Sequence, residues 1–374
     1  MSAAPVLHII AGLGIGGAER ILAALVTAPR PSAHPQAVAD LLAGGALAPE
    51  IRAAGVAVRE IGLTGALGVP RAIGALARLI RELEPAAIQT WMYYADLLGL
   101  WALERSGRRA ATRLYWGIRC SDMDRSRYGL ALRWTIAACA RRAARPDAVI
   151  ANSYAGREVH RKLGYAPRAF AVIPNGIDTA RFRPDPDARR HLRAELGIAE
   201  SDFVAVHAAR VDPMKDHATL IAAARLCPGI VFLAAGKDTG SLDGPANLRG
   251  LGVRADMPAL YAAADAAIST SAFGEGFSNV LGEGMAAGLP AIATDVGDAR
   301  AIIGAAGSVV PPRDSGALAA ALERLARAGV AERAERAALG AAARARIEEK
   351  FSLARCVAAF DALHREGRLP PEAG

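Results

Sequence analysis

Cysteine is scarce in this chain and never clustered. Cys120, Cys139, Cys227 and Cys356 have no short paired spacing, and no histidines are placed to complete a zinc site. A disulfide framework and a structural metal are therefore not expected, and a reducing compartment is. Long apolar runs are missing too. No segment reaches about eighteen apolar residues without a charge, and Met1 to Pro5 leads directly into a strand-like run, so neither a membrane span nor a signal peptide is expected. There is no low-complexity tail and no short repeat. Aromatic residues make up only 5% of the chain, yet 52% is hydrophobic, much of it alanine, which suits a globular core rather than disorder. At 374 residues the chain has room for two domains, each with its own core.

Charge is present in quantity but unevenly placed. The net charge is +8, and residues 1–170 carry 22 Lys+Arg against 12 Asp+Glu, leaving 23 against 25 for the remainder. Most of the excess lies between Arg105 and Arg168. A basic first half suits anionic lipid head groups or an acidic, phosphate-linked acceptor, and an Arg-rich, Ala-rich genomic bias would give the same count. No feature points to nucleic acid.

The apolar runs alternate with helical patterns. Val6 to Ala11 is a short run of the kind that forms a buried parallel strand, and it ends in Gly12-Leu13-Gly14-Ile15-Gly16-Gly17 before a helix near Ala18. Further strands are expected at Ala37 to Leu42, Val56 to Ile61, Ala86 to Gln89, Arg113 to Trp116 and Ala148 to Ala151. Near Pro167 the sequence changes character, with Val172 to Asp178 a strand ending in a Pro-Asn-Gly turn before the polar, Pro-rich Arg181 to Pro186, and a domain boundary is expected there. A second alternation follows, with strands at Phe203 to Ala208, Val231 to Ala235, Ala266 to Thr270, Ala291 to Thr294 and Val309 to Val310. The fold class is α/β, with two Rossmann-like doubly wound domains over residues 1–168 and 169–350. Ser315 to Glu366 reads as helical, broken near Ser352.

The densest chemistry lies in Ser271 to Pro290, S-A-F-G-E-G-F-S-N-V-L-G-E-G-M-A-A-G-L-P. Ser278 is a good N-cap for a helix of about three turns, with Val280, Leu281 and Met285 as its buried stripe, Gly288 in the left-handed C′ position and Pro290 as a stop. The free N–H groups of its first turn face the loop Gly274-Glu275-Gly276-Phe277, a cradle for phosphate or sugar. Glu275 and Glu283 flank that volume. Gly282 and Gly284 would each cost about 1 kcal/mol against alanine, which implies something packed close to the backbone. Upstream, Arg210 and Lys215 stand on the connection leaving the strand that ends at Ala208, where ligands bind in open parallel sheets, and both could reach a diphosphate.

Glu275, seven intervening residues and Glu283 resemble the E-x7-E signature of retaining glycosyltransferases of family 4, whose fold is GT-B: two Rossmann-like domains facing a cleft. The resemblance extends over nearly the whole chain and implies a role for each matching residue. Glu275 would hold hydroxyls of the donor sugar and Glu283 the ribose, with backbone amides of Gly276, Phe277, Ser278 and Asn279 on the donor. Arg210 and Lys215 would neutralise the departing nucleoside diphosphate, Gly16 and Gly17 within G-G-A-E-R would pass close to that diphosphate, and backbone atoms near Val253 and Arg254 would read the base. Many relatives carry an active-site histidine where this chain has Tyr94, a phenol that donates a hydrogen bond but is no cation at neutral pH. Tyr94 and Arg119 are the candidates on the acceptor and sugar side. The resemblance implies a nucleotide-sugar donor, UDP-linked by preference, a glycan or lipid-linked glycan acceptor, and no metal or other cofactor. It also implies a cytoplasmic enzyme of polysaccharide or cell-envelope synthesis, with peripheral contact to an anionic membrane through the basic first domain. Residues 351–366 would form a helix that packs back on the first domain.

Gly12-x-Gly14-x-x-Gly17 also satisfies the dinucleotide fingerprint, and Asp40 ends a strand about where a ribose-binding acid would stand, so an NAD(P)-dependent oxidoreductase is the alternative. Asp122-x-Asp124 matches a divalent-metal pattern too short to weigh much. Tyr128 to Arg145 mixes Leu130, Leu132, Trp134 and Ile136 with Arg133, Arg141, Arg142 and Arg145. An interfacial helix is one reading. Packing on the sheet is favoured, because the apolar residues do not fall on a single stripe.

Overall fold

The computed structural model describes residues 4–30, 34–121, 129–327 and 329–370. The chain divides into two compact units, Met1–Gly176 with Leu353–Gly374, and Ile177–Ser352.

The first unit is a seven-stranded sheet in the order β3-β2-β1-β4-β5-β6-β7, every neighbouring pair parallel. Its strands are β1 Val6–Ile10, β2 Gln36–Asp40, β3 Ala57–Glu60, β4 Ala87–Trp91, β5 Arg113–Ile118, β6 Ala148–Ala151 and β7 Phe170–Val172. β1 and β4 at the centre are buried at all five positions, as a sheet covered on both faces requires. The covering helices include α1 (Gly17–Thr27), α3 (Val69–Leu83), α4 (Tyr93–Ser106), α5 (Leu130–Arg142) and α6 (Tyr154–Lys162). α14 (Leu353–Glu366) also belongs to this unit, and its Cys356, Val357, Phe360 and Leu363 share a core with Ile10, Trp91 and Ile173. The division falls at Gly176, eight residues beyond the expected boundary. The reason is β7, which pairs with β6 and so completes the first sheet instead of opening the second.

The second unit is a six-stranded parallel sheet in the order β10-β9-β8-β11-β12-β13. Its strands are β8 Phe203–Ala208, β9 Ile230–Ala235, β10 Leu248–Gly250, β11 Ala266–Ser269, β12 Ala291–Thr294 and β13 Gly307–Val310. The short β10 has no apolar run to announce it. The strand order reverses between β8 and β11, so the loops after these two strands flank a topological switch point, where open α/β sheets bind ligands. Four helices of this unit stand close to those loops or pack beside them in sequence: α8 (His217–Leu226), α9 (Met257–Ala263), α10 (Asn279–Ala286) and α11 (Ala299–Ile303).

α10 has 8 residues, nearer two turns than three. Its end behaves as the sequence implies, with Gly288 at φ +82° and the Leu289 N–H on the Gly284 carbonyl. Leu281 and Met285 are buried, whereas Val280 is only partly so. The two glycines inside α10 make room for protein. A Cβ on Gly284 would lie 2.4 Å from the Ala267 side chain on β11, and one on Gly282 would lie 2.8 Å from Ile177.

Candidate active site

Two loops make the centre of the second unit. The loop after β8 turns at Asp212, whose Oδ1 accepts from the Met214 N–H and whose carbonyl accepts from the Lys215 N–H, both at 2.9 Å. It is then fastened to the loop after β11. The Thr270 hydroxyl donates to the Lys215 carbonyl at 2.7 Å and the Ala272 N–H to the Met214 carbonyl at 2.8 Å. Asp216, at φ +48°, caps α8 by accepting from the Thr219 N–H. Lys215 is thus fixed by backbone on both sides.

Residues 274–278 are all buried. Gly274 has φ +77°, and the segment leans on the loop after β12, where the Asp298 N–H donates to the Gly276 carbonyl at 3.1 Å. A Cβ on Gly297 would lie 2.3 Å from the Glu275 carbonyl oxygen, so this approach needs glycine. The outcome is one contact: the Lys215 ammonium donates to both Glu275 carboxylate oxygens, each at 2.8 Å, with the two side chains only 15% and 11% exposed.

At the start of α10 the Ser278 hydroxyl is buried and accepts from no backbone N–H of the helix. It has no hydrogen-bond partner, although it occupies the N-cap position the sequence assigned it. A buried hydroxyl at the N-cap position that caps nothing keeps its donor and acceptor capacity unspent. Asn279 is the first residue of that helix. Phe277 turns inward instead, edge-on to Phe351 at 5.3 Å, so only its backbone faces the loop.

The remaining residues assigned in this unit lie farther out. Arg210 is exposed and forms a fork on Asp212 Oδ2, at 3.2 and 3.1 Å. Burial of Asp212 works toward protonation, yet the Met214 N–H and the Arg210 guanidinium outweigh it and hold the carboxyl below its usual range. Arg254 makes a similar fork on Asp256, at 2.8 and 2.5 Å, beside an exposed Val253. Glu283 accepts from the Tyr261 hydroxyl at 3.2 Å. Tyr261 is fully buried on α9, and burial followed by the Glu283 charge pushes its phenol well above 10, which keeps it a donor. The sequence gives no signal for this partnership, which spans 22 residues and two helices.

In the first unit, the loops after β1, β4 and β5 leave the same edge of adjacent strands. Gly16 and Gly17 open α1, with Gly14, Ile15 and Gly17 exposed. The Glu19 carboxylate reaches back over Gly16, where a Cβ would lie 2.2 Å from it. After β4, Met92 takes φ +71° at the start of α4. Trp91 and Tyr93 are core residues. The Trp91 indole N–H donates to His8 Nδ1 at 3.1 Å, and the Tyr93 hydroxyl lies 2.7 Å from His160 Nε2. His160 Nδ1 sits 2.7 Å from the Gly156 carbonyl, an acceptor only, so Nδ1 carries the proton and the Tyr93 hydroxyl donates to Nε2. Tyr94 alone of the three aromatics is exposed.

Arg119 does not extend outward as an acceptor-side cation would. Its guanidinium lies over Trp91 at 4.2 Å and near Phe360 of α14 at 5.4 Å, and its Nη1 donates to Asn175 Oδ1 at 3.3 Å. Nε and Nη2 are buried without partners. Burial lowers its pKa to about 10, against the opposing pull of Cys356 and Asp96.

Asp40 answers the oxidoreductase alternative. It is fully buried: its Oδ1 accepts from the Leu42 and Ala43 N–H groups in the turn that follows β2, and its Oδ2 is enclosed without a partner, so neither oxygen is open to a ribose. Asp122 and Asp124 lie outside the described residues. Among the described residues no three His, Cys, Asp or Glu side chains gather as a metal donor set.

Known proteins resemble this chain in sequence and in fold. Residues 15–181 match the family model described as Glycosyltransferase Family 4, and residues 202–328 the one described as Glycosyl transferases group 1. D-inositol 3-phosphate glycosyltransferase of Mycobacterium tuberculosis is 30% identical over 189 residues, 46% of this chain and 39% of that protein, so the match spans well under half of the curated relative's length. The Anabaena HepE structure in complex with UDP-glucose has a TM-score of 0.80 at 22% identity, covering 94% of this chain and 97% of that one. Sucrose-phosphate synthase of Thermosynechococcus elongatus gives 0.76 at 19% identity, covering 97% and 98%. These likenesses establish the GT-B fold. The two family models together span most of both units, from residue 15 to residue 181 and from 202 to 328, and the chain belongs to glycosyltransferase family 4.

Proposed function

We propose that the protein is a retaining glycosyltransferase. It moves a hexosyl or N-acetylhexosaminyl group from a nucleotide-sugar donor, UDP-linked by preference, to a hydroxyl of a glycan or lipid-linked glycan. The observation that carries this reading is the Lys215–Glu275 pair at the switch point, with the unpartnered Ser278 hydroxyl at the start of α10. A cation, a hydroxyl and helix amides suit a diphosphate, and a carboxylate in the same place suits sugar hydroxyls.

In this reading Lys215 and Arg210 neutralise the charge that develops on the departing diphosphate, so no metal is needed, and Glu275 orients the sugar. Arg210 leaves Asp212 to do so. Glu283, steadied by Tyr261, holds the ribose. Backbone near Val253 and Arg254 reads the base, and Gly16 and Gly17 in the glycine loop after β1 are the first unit's donor-binding candidates. The bond from the anomeric carbon to the diphosphate oxygen breaks as the bond to the acceptor oxygen forms on the same face. The acceptor's proton goes to the leaving phosphate oxygen. Tyr94 is the exposed group that would meet the sugar or acceptor. A cytoplasmic site of action in envelope polysaccharide synthesis, with the basic first unit at an anionic membrane, completes the proposal.

Product stereochemistry tests it. With an α-linked UDP-sugar and an alcohol acceptor, proton NMR of the first product formed should show the α anomer. A β product would remove the same-face mechanism, and no product from any nucleotide-sugar would remove the activity.

A further inference from the structure

The loops after β1, β2 and β3 lack charge. Residues 11–18, 41–49 and 61–70 contain no Asp, Glu, Lys or Arg in a chain that is 22% charged, and Thr64 carries their only side-chain hydroxyl. In the sheet order β3-β2-β1-β4 these loops are neighbours along one carboxyl edge, and backbone bonds tie them together. The Leu42 N–H donates to the Ala11 carbonyl and the Leu47 N–H to the Leu13 carbonyl, each at 3.0 Å, and the Leu63 N–H donates to the Leu41 carbonyl at 2.7 Å. Gly45 sits so close to the first loop that a Cβ there would lie 2.4 Å from the Leu13 Cβ. The result is a fixed rim from which large apolar side chains stand out: Ile15 is 66%, Leu42 58% and Leu67 96% exposed. Tyr94 is exposed on the next loop, after β4, and Gly16 and Gly17 close the first. Leu226 at the end of α8 is exposed too, as are Leu130 and Trp134 on α5, whose other side buries Ile136 and Cys139. Each of those three has an arginine within three residues, and none of the rim's three does.

We infer that this rim receives an aliphatic aglycone, so that the acceptor is a glycoside carrying an alkyl chain and not a free glycan. The inference rests on the transferase reading and deepens it by choosing one acceptor class. A free glycan is held through its hydroxyls by carboxylates, amides and guanidiniums, and a single threonine hydroxyl on three loops supplies almost none of that. Aliphatic carbon needs the opposite: apolar side chains already held in place, with glycines and alanines between them that let it lie close to the backbone. Continuity points to the acceptor as the occupant. The rim runs without a charged side chain into the loops of Gly16, Gly17 and Tyr94, the first unit's candidates for donor, sugar and acceptor. Arg119, the cation that follows β5, lies over Trp91 and adds no outward charge to that edge. A chain lying on Leu67, Leu42 and Ile15 leaves its sugar at the Tyr94 end.

The test is binding alone, with neither donor nor turnover. Hexyl, octyl and decyl β-glucoside, each below its micelle concentration, are titrated against the full chain and read by ligand-observed NMR. A fully buried methylene adds about fourfold in affinity and one half-covered on an open rim about twofold, so each step of two methylenes should tighten binding about fourfold. Maltosides with the same chains should follow the same steps. The double variant Leu42→Ser/Leu67→Ser should bind the decyl compound at least tenfold more weakly. A control, Trp134→Ala, should bind it within about twofold of wild type, and both variants should keep the wild-type melting temperature because the substituted side chains are exposed. The inference is overturned if affinity does not rise with chain length, if the leucine variant binds normally, or if Trp134→Ala weakens binding as much, which marks general detergent adsorption. It is also overturned if no monomeric glucoside binds while the leucine substitutions dissociate a dimer in sedimentation, which gives the rim to a second copy. The same holds if they abolish binding to phosphatidylcholine vesicles with no monomeric glucoside bound, which gives it to a bilayer. Chain-length-dependent binding in a protein that transfers no sugar would support the rim's ligand and sink only the transferase reading. Transfer to free glycans without any chain-length effect would do the reverse.

Discussion

The Lys215 ammonium lies 2.8 Å from each oxygen of the Glu275 carboxylate, so two residues 60 positions apart form one symmetric ion pair across the switch point of the second sheet. Each side chain holds the other where the proposed donor's phosphate and sugar would meet. Binding would turn the lysine toward phosphate and the carboxylate toward hydroxyls.

Lys215→Ala removes the charge and leaves Glu275 without its cation. Transfer should fall about 10²- to 10³-fold, as when an electrostatic stabiliser of a leaving group is removed. Stability should fall by about 1–3 kcal/mol. Steady-state kinetics and denaturant melts check both, and full activity in the variant would take the lysine out of the chemistry.

Tyr261→Phe keeps the buried ring and removes the hydroxyl that Glu283 accepts from. With Glu283 on the ribose, KM for the nucleotide-sugar should rise severalfold while kcat changes little, because the interaction is made equally in the ground and transition states. A drop in kcat at unchanged KM would place Glu283 at the reacting centre instead.

Gly284→Ala should cost about 1–3 kcal/mol through overpacking, since its Cβ would meet the Ala267 side chain at 2.4 Å on a buried strand. Gly282→Ala meets the ends of the Ile177 side chain and should cost less. Thermal melts rank the two, and the reverse order would mean that α10 is seated differently on β11.

Stability should fall with acid. Burial holds His8 and His207 at about 3 and His160 at about 4, and drives His364 well below its ordinary value. The unfolded chain therefore takes up protons near 6.5 while the folded protein does not. The stability these groups contribute is complete above about 6.5 and lost as pH falls toward 3 to 4, with a slope near ~1.4 kcal/mol per pH unit for each net proton. Asp96 opposes them. Burial raises it to about 7, so its contribution is complete below its unfolded value and is lost as pH rises through about 7. Burial raises Glu19 and Asp40 as well, in the same sense as Asp96, but the histidines outweigh these carboxyls, and the melting temperature should drop between pH 6.5 and 4.5. A flat profile would show that the histidines are not held neutral.

The strands were legible because buried parallel strands are written as continuous apolar runs, and the glutamate pair because its spacing is local. Side-chain partnerships were not. Arg119 follows a strand like any binding-loop cation, and only Trp91 and Phe360, 241 residues away on α14, turn it inward. Asp40 had the right spacing for a ribose, and the turn that follows β2 buries it. Gly282 and Gly284 signalled close approach correctly, but a sequence does not say whether ligand or protein approaches. α5 defeated a one-stripe test because it has two apolar faces, one for the core and one for solvent.

The measurement that bears most directly on the central claim is a thermal-shift panel of UDP, GDP, ADP, UDP-sugars, NAD and NADP with EDTA present, on wild type and Lys215→Ala. A ligand that binds only the folded state raises the melting temperature by mass action. The expected result is stabilisation by UDP or another nucleoside diphosphate without metal, weakened in Lys215→Ala. Stabilisation by NAD or NADP alone, unchanged in Lys215→Ala, would contradict it.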